Sequence, residues 1–131
     1  MNHTCRVQLA DTDAAGRIYF AAALRLAHEA FENAMASAGL DLRAILEREP
    51  FVLPVVRVEA DYRAPLALGD AITVVSRTAA IGARSFAMNH QLRNAHGDIA
   101  VDVTITHAVV AKDTGKATDL PDQLRAVLGR I

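Results

Sequence analysis

Residues 20–38 read FAAALRLAHEAFENAMASA and precede Gly39. Apolar side chains recur here at spacings of three and four, and together they form one continuous stripe on a helix: Phe20, Leu24, Ala27, Phe31, Met35 and Ala38. Gly39 is typical of a helix C-terminal cap. Because so many side chains in this stretch are small, other backbone can approach the helix closely. The pattern therefore predicts a long helix that packs against a sheet.

The charged residues of this stretch lie off the apolar stripe. Arg25 and Glu29 stand four positions apart, which predicts a weak ion pair on the helix surface. Ahead of the helix, residues 7–10 are a strand candidate, and residues 11–16 read DTDAAG, where two carboxylates and a glycine mark a turn. We therefore expect a strand, a turn and then the long helix.

Beyond Gly39 the apolar spacing changes to alternation. Residues 42–48 are typical of a short helix that ends before Pro50, and another short helix is expected after Pro121. Alternating or β-branched runs predict four further strands, at about residues 56–63, 72–78, 86–93 and 101–109. Turn residues separate these strands: Pro65, Gly69-Asp70, Gly82, Asn94-Ala95-His96-Gly97 and Lys112-Asp113-Thr114-Gly115. The expected fold is α+β, with a five-stranded antiparallel sheet wrapped around one helix.

One helix cannot cover both faces and both edges of such a sheet. An uncovered edge presents unpaired backbone groups, which proteins generally pair or protect. We therefore expect one edge of the sheet to pair with a second copy of the chain, so that a homodimer is the smallest expected assembly.

Length and composition exclude several classes of protein. The chain has 131 residues and a formal net charge of −1, which predicts one domain over residues 1–131 and no field that draws it to nucleic acid or an anionic membrane. Cys5 is the only cysteine and cannot form an internal disulfide, so a cytoplasmic location is expected. The N-terminus lacks an apolar signal region, and no run reaches the roughly 18 apolar residues of a membrane span.

Motifs for metal and nucleotide chemistry are absent from the sequence. The five histidines show no ligand spacing, and there is neither a phosphate-binding glycine loop nor a Gly-x-Ser-x-Gly motif. His90 and His107 fall on the apolar phase of predicted strands. We interpret them as hydrogen-bonded side chains at a strand edge or subunit interface rather than as polar groups of a pocket, and assign them no role.

The segment that bears on chemistry is residues 11–20, DTDAAGRIYF, which place two carboxylates on a turn that leads into the long helix. A helix N-terminus presents unpaired N–H groups and partial positive charge. These donors suit a carbonyl oxygen that becomes negative during acyl transfer, while a carboxylate attacks the carbonyl carbon or deprotonates water. Alternatively, Asp11 and Asp13 only cap and stabilise the turn, and the residues alone leave both interpretations open.

The same segment carries a family resemblance. Residues 11–20, continued by His28-Glu29-Ala30-Phe31-Glu32, resemble the hot-dog-fold thioesterases of the 4-hydroxybenzoyl-CoA thioesterase family, especially the branch that hydrolyses 1,4-dihydroxy-2-naphthoyl-CoA. The similarity extends over nearly the whole chain, through Leu53-Pro54, Tyr62-Arg63-Ala64-Pro65, Gly69-Asp70 and Leu120-Pro121. The resemblance implies a hot-dog fold and hydrolysis of an aromatic acyl-CoA.

The resemblance also implies which residues form the catalytic centre. It makes Asp13 the catalytic carboxylate, acting as a nucleophile or as a general base, and Asp11 a structural residue. Gly16 would let the chain pass close to the thioester. The backbone N–H near Phe20 would polarise the thioester carbonyl at the helix start.

Five further positions are implied for binding: Tyr19, His28 and Leu53 for the acyl group, and Arg84 and Ser85 for the CoA phosphates. His28 matches a position that in one branch meets the ring hydroxyl of the acyl group. The alternative for His28 is an exposed helix histidine paired with Glu32. A guanidinium such as that of Arg84 is well suited to phosphate.

The implied reaction needs no metal or cofactor, because CoA is part of the substrate. We expect a homodimer or a homotetramer built as a dimer of dimers. Because the helix start lies near the expected sheet-to-sheet junction, each active site is expected to combine residues from both subunits. Two other functions stay open. One is hydrolysis of short- or medium-chain aliphatic acyl-CoA, and the other is binding of acyl thioesters without turnover.

Overall fold

The long helix forms over the residues that the sequence predicts. In the computed structural model, which describes residues 1–131, the elements are β1 Asn2–Arg6, α1 Phe20–Ala38, α2 Leu42–Arg48, β2 Phe51–Val52, β3 Val55–Tyr62, β4 Ala71–Ile81, β5 Ser85–Arg93, β6 Ile99–Ala108, β7 Val110–Ala111 and α3 Asp122–Leu128. Gly39 ends α1 with a φ of 105°, the left-handed conformation of its predicted cap. The two predicted short helices form as well.

Five strands form one antiparallel sheet in the order β1, β4, β5, β6, β3, and its inner face covers α1. The buried contacts between the two layers involve Leu26, Ala27, Phe31 and Met35 of α1 and Val74, Phe86, Met88, Leu92, Val103 and Ile105 of the sheet. Small residues on α1 allow this close approach, and the predicted α+β architecture is confirmed. No helix of the chain combines the length and apolar character that a membrane crossing requires.

The first strand lies earlier than predicted. Residues 2–6 pair with β4, whereas residues 7–10 contain the buried Val7 and the start of a short 3₁₀ turn, Leu9–Asp11. The prediction of a strand over residues 7–10 was therefore wrong. A short edge strand such as β1 is held mainly by its backbone pairing, which leaves little apolar pattern to detect.

The burial of β3 also differs from the prediction. Alternation predicts one buried face, but Val56, Val58 and Tyr62 on that face are 60%, 41% and 47% exposed. β3 is the last strand of the sheet and pairs only with β6, so its other edge has no partner within the chain. These apolar side chains are therefore not buried in the core of the single chain.

A second, two-stranded sheet joins β2 to β7 and was not predicted. Each strand has only two residues, too few for a periodic signal. With α2 and α3, this sheet packs around the C-terminal half of α1, where Phe31, Met35, Ile45, Phe51 and Leu124 share one core cluster. The segment after β2 is thereby brought against the side of α1.

Candidate active site

Asp11 anchors the loop that leads into α1. Its side chain is 4% exposed, and one carboxylate oxygen accepts a hydrogen bond from Arg25 Nη2 at 2.5 Å. The other oxygen accepts one from the Gln8 amide at 2.9 Å, and the Asp11 carbonyl accepts one from Tyr19 N at 2.8 Å. These contacts tie both ends of the loop together, which is the structural position implied for Asp11.

Asp13 lies exposed on the same loop with one carboxylate oxygen held and the other open. Its Oδ1 accepts hydrogen bonds from Ala15 N at 2.9 Å and Arg17 N at 3.3 Å, and its amide donates to the Arg17 carbonyl at 2.8 Å. These bonds form a tight turn that orients the side chain. The capping interpretation of Asp13 agrees with these bonds, which use one oxygen and leave the second without a hydrogen-bond partner in the chain, and its catalytic role stays a prediction.

Gly16 adopts a left-handed conformation in this turn, with a φ of 72°. No other atom lies within 4 Å of the position that a Cβ would take, so within the chain the conformation alone requires glycine. Its carbonyl accepts a hydrogen bond from Leu68 N at 3.1 Å, which fastens the turn to the loop before β4. The expected close approach of Gly16 to a thioester stays a prediction.

The start of α1 offers free backbone donors. Tyr19 caps the helix without a side-chain hydrogen bond, and the amides of Phe20 and Ala21 donate to no acceptor in the chain. Phe20, which the apolar stripe placed in the core, is 59% exposed. Tyr62 Oη on β3 donates to the Phe20 carbonyl at 2.5 Å and braces this end of α1 against the sheet edge. The arrangement provides donors for an oxyanion.

A mostly apolar cavity of about 110 Å³ lies beside α1, two helical turns beyond its start. Its walls come from α1, α2 and the segment around β2, and they consist of His28, Phe31, Leu42, Ile45, Leu46, Val52 and Leu53. His28 and Leu53, two of the three implied acyl-binding residues, thus line one cavity. Tyr19 does not line it, because it lies 47% exposed at the helix start.

Two buried histidines lie beneath the helix. His107 stacks on Phe31 and Phe86 at centroid distances of 4.5 Å and 5.1 Å, and its Nδ1 lies 3.1 Å from the Leu53 carbonyl oxygen. His90 Nδ1 lies 2.8 Å from Ser76 Oγ. Both side chains are 0% exposed, on the interior strands β5 and β6. The placement of these histidines at a strand edge or subunit interface was therefore wrong, since the core of the single chain contains them.

Burial sets the charge of both histidines. Loss of hydration lowers the pKa of His90 to about 4, with smaller effects from His107 and His28. The same cause lowers the pKa of His107, although its hydrogen bond to Leu53 opposes the shift. Both imidazoles are therefore neutral near pH 7. The Nε2 atom of each is buried and has no hydrogen-bond partner.

Arg84 lies in the turn between β4 and β5 and Ser85 begins β5, so both lie at the opposite end of β4 from the carboxylate loop. Arg84 Nε donates to Asp119 Oδ1 at 3.1 Å, with the two side chains 65% and 78% exposed. An ion pair this exposed contributes little stability, so the guanidinium can exchange its partner for a phosphate at low cost. Contact of Arg84 and Ser85 with the CoA phosphates stays a prediction.

The implied site residues form three separate groups within one chain. Asp13, Gly16, Tyr19 and Phe20 lie at the start of α1, His28 and Leu53 lie at the cavity, and Arg84 and Ser85 lie where the β4–β5 turn enters β5. No hydrogen bond joins any of these groups to another. The cavity walls from α2 were not predicted, although the spacing of Leu42, Ile45 and Leu46 marks one apolar helix face. The contact of His107 with Leu53 was not predicted either.

The helix wrapped by a five-stranded antiparallel sheet, with a carboxylate turn at the helix start, defines the class of hot-dog-fold thioesterases. The chain belongs to the thioesterase-like superfamily, whose family model matches residues 7–128. It is 35% identical to the 1,4-dihydroxy-2-naphthoyl-CoA hydrolase of Synechococcus elongatus over 120 residues, which cover 91% of this chain and 88% of the relative. The hydrolase of the same name from Thermosynechococcus vestitus is 33% identical over 93% of this chain and 84% of its own length.

Solved structures agree with the fold. A 1,4-dihydroxy-2-naphthoyl-CoA thioesterase from Synechocystis superposes with a TM-score of 0.91 at 28% identity, covering 99% of this chain and 96% of that one. A gentisyl-coenzyme A thioesterase superposes with a TM-score of 0.88 at 18% identity over 98% of this chain and 99% of its own, and shows likeness of fold alone. The fold and family implied by residues 11–20 are confirmed.

Proposed function

We propose that this chain hydrolyses the thioester bond of an aromatic, hydroxyaroyl-type acyl-CoA to the free acid and CoA. The observation that carries the proposal is the asymmetry of the Asp13 carboxylate. Two backbone amides hold its Oδ1, and its other oxygen is open on an exposed turn that leads into a helix start with unpaired donors. A relative 35% identical over 91% of the chain is named for hydrolysis of 1,4-dihydroxy-2-naphthoyl-CoA.

Asp13 acts on the carbonyl carbon by one of two routes. As a nucleophile, its free oxygen forms a bond to that carbon, the C–S bond breaks, CoA leaves as the thiolate, and water then hydrolyses the mixed anhydride. As a general base, it takes a proton from a water molecule that attacks the same carbon. In both routes the carbonyl oxygen becomes negative, and the Phe20 amide at the positive end of α1 stabilises it.

The cavity at His28 and Leu53 is the proposed acyl site. Its volume of about 110 Å³ is below the roughly 150 Å³ of an apolar cavity that binds benzene, so we propose that one aromatic ring enters it in part. Phe31 and the aliphatic residues of α2 supply its apolar walls, and His28 supplies one polar group. We propose Tyr19 as a further contact of the acyl group, and Arg84 and Ser85 as contacts of the CoA phosphates.

We also propose that the enzyme is a cytoplasmic homodimer or homotetramer with composite active sites. The uncovered edge of β3 carries Val56 and Val58, which are 60% and 41% exposed. Pairing this edge with a second copy would bury these valines, and it would set residues of both chains around the helix start. The separation of Arg84 from Asp13 within one chain supports this assignment. The proposed reaction needs no metal or bound cofactor, and CoA is part of the substrate.

Release of free thiol from thioesters tests the function. Wild-type protein should hydrolyse benzoyl-CoA and 4-hydroxybenzoyl-CoA, and Asp13→Asn should lower kcat by about a hundredfold or more with folding intact. Asp41→Asn is the matched control, because Asp41 is also an exposed carboxylate that accepts a backbone amide, from Ala44 at 2.8 Å. Asparagine caps helices about as well as aspartate, so this control should keep full activity.

The other outcomes decide between the alternative functions. Equal turnover by wild type and Asp13→Asn would remove the catalytic role of Asp13. Tight binding of acyl-CoA without thiol release would identify a binding module. A higher kcat/KM for a medium-chain acyl-CoA than for either aromatic thioester would identify an aliphatic thioesterase.

A further inference from the structure

His107 has a buried acceptor with no partner next to the proposed acyl cavity. Its Nδ1 lies 3.1 Å from the Leu53 carbonyl oxygen. A carbonyl oxygen can only accept, so Nδ1 carries the proton and donates it to this bond. The neutral ring then has a bare lone pair on Nε2, which is buried and unpaired. A buried acceptor without a donor is costly, and in this conformation no group of the chain donates to it.

The surroundings of His107 narrow the choice of donor. Phe31 and Phe86 stack on the ring and supply no hydrogen-bonding group. The imidazole of His28 lies 6.0 Å away between ring centroids. Two imidazoles joined in line by an N–H···N hydrogen bond have centroids about 5 to 5.5 Å apart. His28 is exposed on α1 at the cavity wall, and its ring would have to move by less than about 1 Å to reach that separation.

We propose that His107 is a positioning residue, which accepts a hydrogen bond from His28 when an aryl group fills the cavity and so presents the second nitrogen of His28 to a hydroxyl on that ring. This inference rests on the proposed function. The ring hydroxyl donates to His28, His28 donates to His107 Nε2, and His107 Nδ1 donates to the Leu53 carbonyl. Every nitrogen of the two imidazoles then has a hydrogen-bond partner, and no proton is transferred.

Such a chain of hydrogen bonds makes the site selective for hydroxylated rings. The Leu53 carbonyl determines the tautomer of His107, and His107 determines that of His28. The nitrogen of His28 that faces the cavity is therefore an acceptor. An acyl ring without a hydroxyl would leave that acceptor desolvated and unpaired, which is the kind of mismatch that discriminates strongly between substrates.

The test compares kcat/KM for 4-hydroxybenzoyl-CoA and benzoyl-CoA in matched variants. His107→Asn keeps a donor near the Leu53 carbonyl and deletes the Nε2 acceptor, whereas His107→Gln places an acceptor near the Nε2 position. We expect His107→Asn to lower kcat/KM for the hydroxylated substrate about tenfold and to change that for benzoyl-CoA less than about twofold. His107→Gln should recover most of the preference. His28→Phe should remove the preference for 4-hydroxybenzoyl-CoA over benzoyl-CoA. In that background, His107→Asn should lower kcat/KM for the hydroxylated substrate no further.

Two results would overturn the role of His107: an equal loss with both substrates, which indicates a packing defect, or an unchanged preference in His107→Asn. Wild type that hydrolyses both substrates equally well would overturn this inference alone. Wild type that hydrolyses neither would overturn the proposed function instead.

A second measurement covers the case in which His107→Asn does not fold. In wild-type protein with ¹⁵N-labelled histidine, a non-hydrolysable thioether analogue of 4-hydroxybenzoyl-CoA should convert His28 from a tautomer mixture to one tautomer. His107 should stay protonated at Nδ1 throughout. An unchanged mixture for His28 at saturation would contradict the proposal.

Discussion

Arg25 Nη2 lies 2.5 Å from the buried Asp11 Oδ1, and Nη1 of the same guanidinium reaches Glu29 Oε2 at 3.1 Å. Glu29 in turn lies 2.9 Å from His3 Nε2 on β1. One arginine thus connects the carboxylate loop to α1, and Glu29 extends the connection to the edge of the sheet. The position of Asp13 depends on this network, although Asp13 takes no part in it.

Arg25→Met should destabilise the fold, because it leaves the Asp11 carboxylate buried with only the Gln8 amide as donor. We expect a loss of about 1 to 3 kcal/mol in the free energy of unfolding, measured by urea titration with an unchanged m value. Arg43→Met is the control. Arg43 pairs with Glu47 at 2.8 Å but is 85% exposed, so its loss should cost less than about 0.5 kcal/mol. Equal losses in the two variants would contradict the anchoring role of Arg25.

Gly16→Ala should lower both stability and activity. Its φ of 72° is unfavourable for any residue with a Cβ, at a cost of about 1 to 2 kcal/mol, and relief of that strain would disturb the Asp13 turn. Gly97→Ala provides a matched control, since Gly97 has a φ of 85° in the β5–β6 hairpin turn, which makes no hydrogen bond to residues 11–20. It should lose similar stability by thermal unfolding and keep its kcat. A full kcat in Gly16→Ala would show that the turn does not position Asp13.

His90 should make stability depend on pH in mildly acidic solution. Its pKa is about 4 in the folded chain and 6.5 in the unfolded one, so between these values the unfolded state binds more protons. The contribution of neutral His90 to the free energy of unfolding is fully present above pH 6.5. It is lost as the pH falls toward 4, by up to about 1.4 kcal/mol per pH unit. Urea titrations at several pH values should show this slope, and His90→Asn should reduce it. An equal slope in that variant would assign the effect to other groups.

Val58→Lys should weaken the proposed assembly through the β3 edge. A charge on this exposed edge opposes strand pairing between two copies. Light scattering after size exclusion should give a dimer or tetramer for the wild type and a smaller species for the variant. Leu9→Lys, at a side chain 74% exposed and away from β3, should leave the mass unchanged. A monomeric wild type would remove the composite-site proposal.

Arg84→Ala should raise KM for acyl-CoA substrates several-fold with little change in kcat, because a phosphate contact remote from the thioester contributes equally to substrate and transition state. Steady-state kinetics with benzoyl-CoA measure the effects on KM and kcat separately. The same thioester on N-acetylcysteamine, which lacks the CoA phosphates, should show no effect of the substitution. An equal rise in KM for both substrates would refute the phosphate contact.

Local patterns in the sequence determined a large part of this protein. The stripe from Leu24 to Ala38 and the glycine at position 39 defined α1, and alternation or β-branched runs identified four of the five strands of the main sheet. The resemblance carried by residues 11–20 and by further positions along the chain indicated the family. These features are local, because each reports which side of one helix or strand is apolar or which turn the backbone makes.

Contacts between distant segments were decided only by the tertiary structure. The cavity at His28 needs α2 and the chain around Leu53, and the tautomer of His107 depends on a carbonyl 54 residues away. Alternation in β3 indicated an apolar face, yet only the sheet order shows that this face lies at an open edge. Periodicity in the sequence indicates that a side chain avoids water. Which residue that side chain contacts depends on the packing of segments that are far apart in the chain.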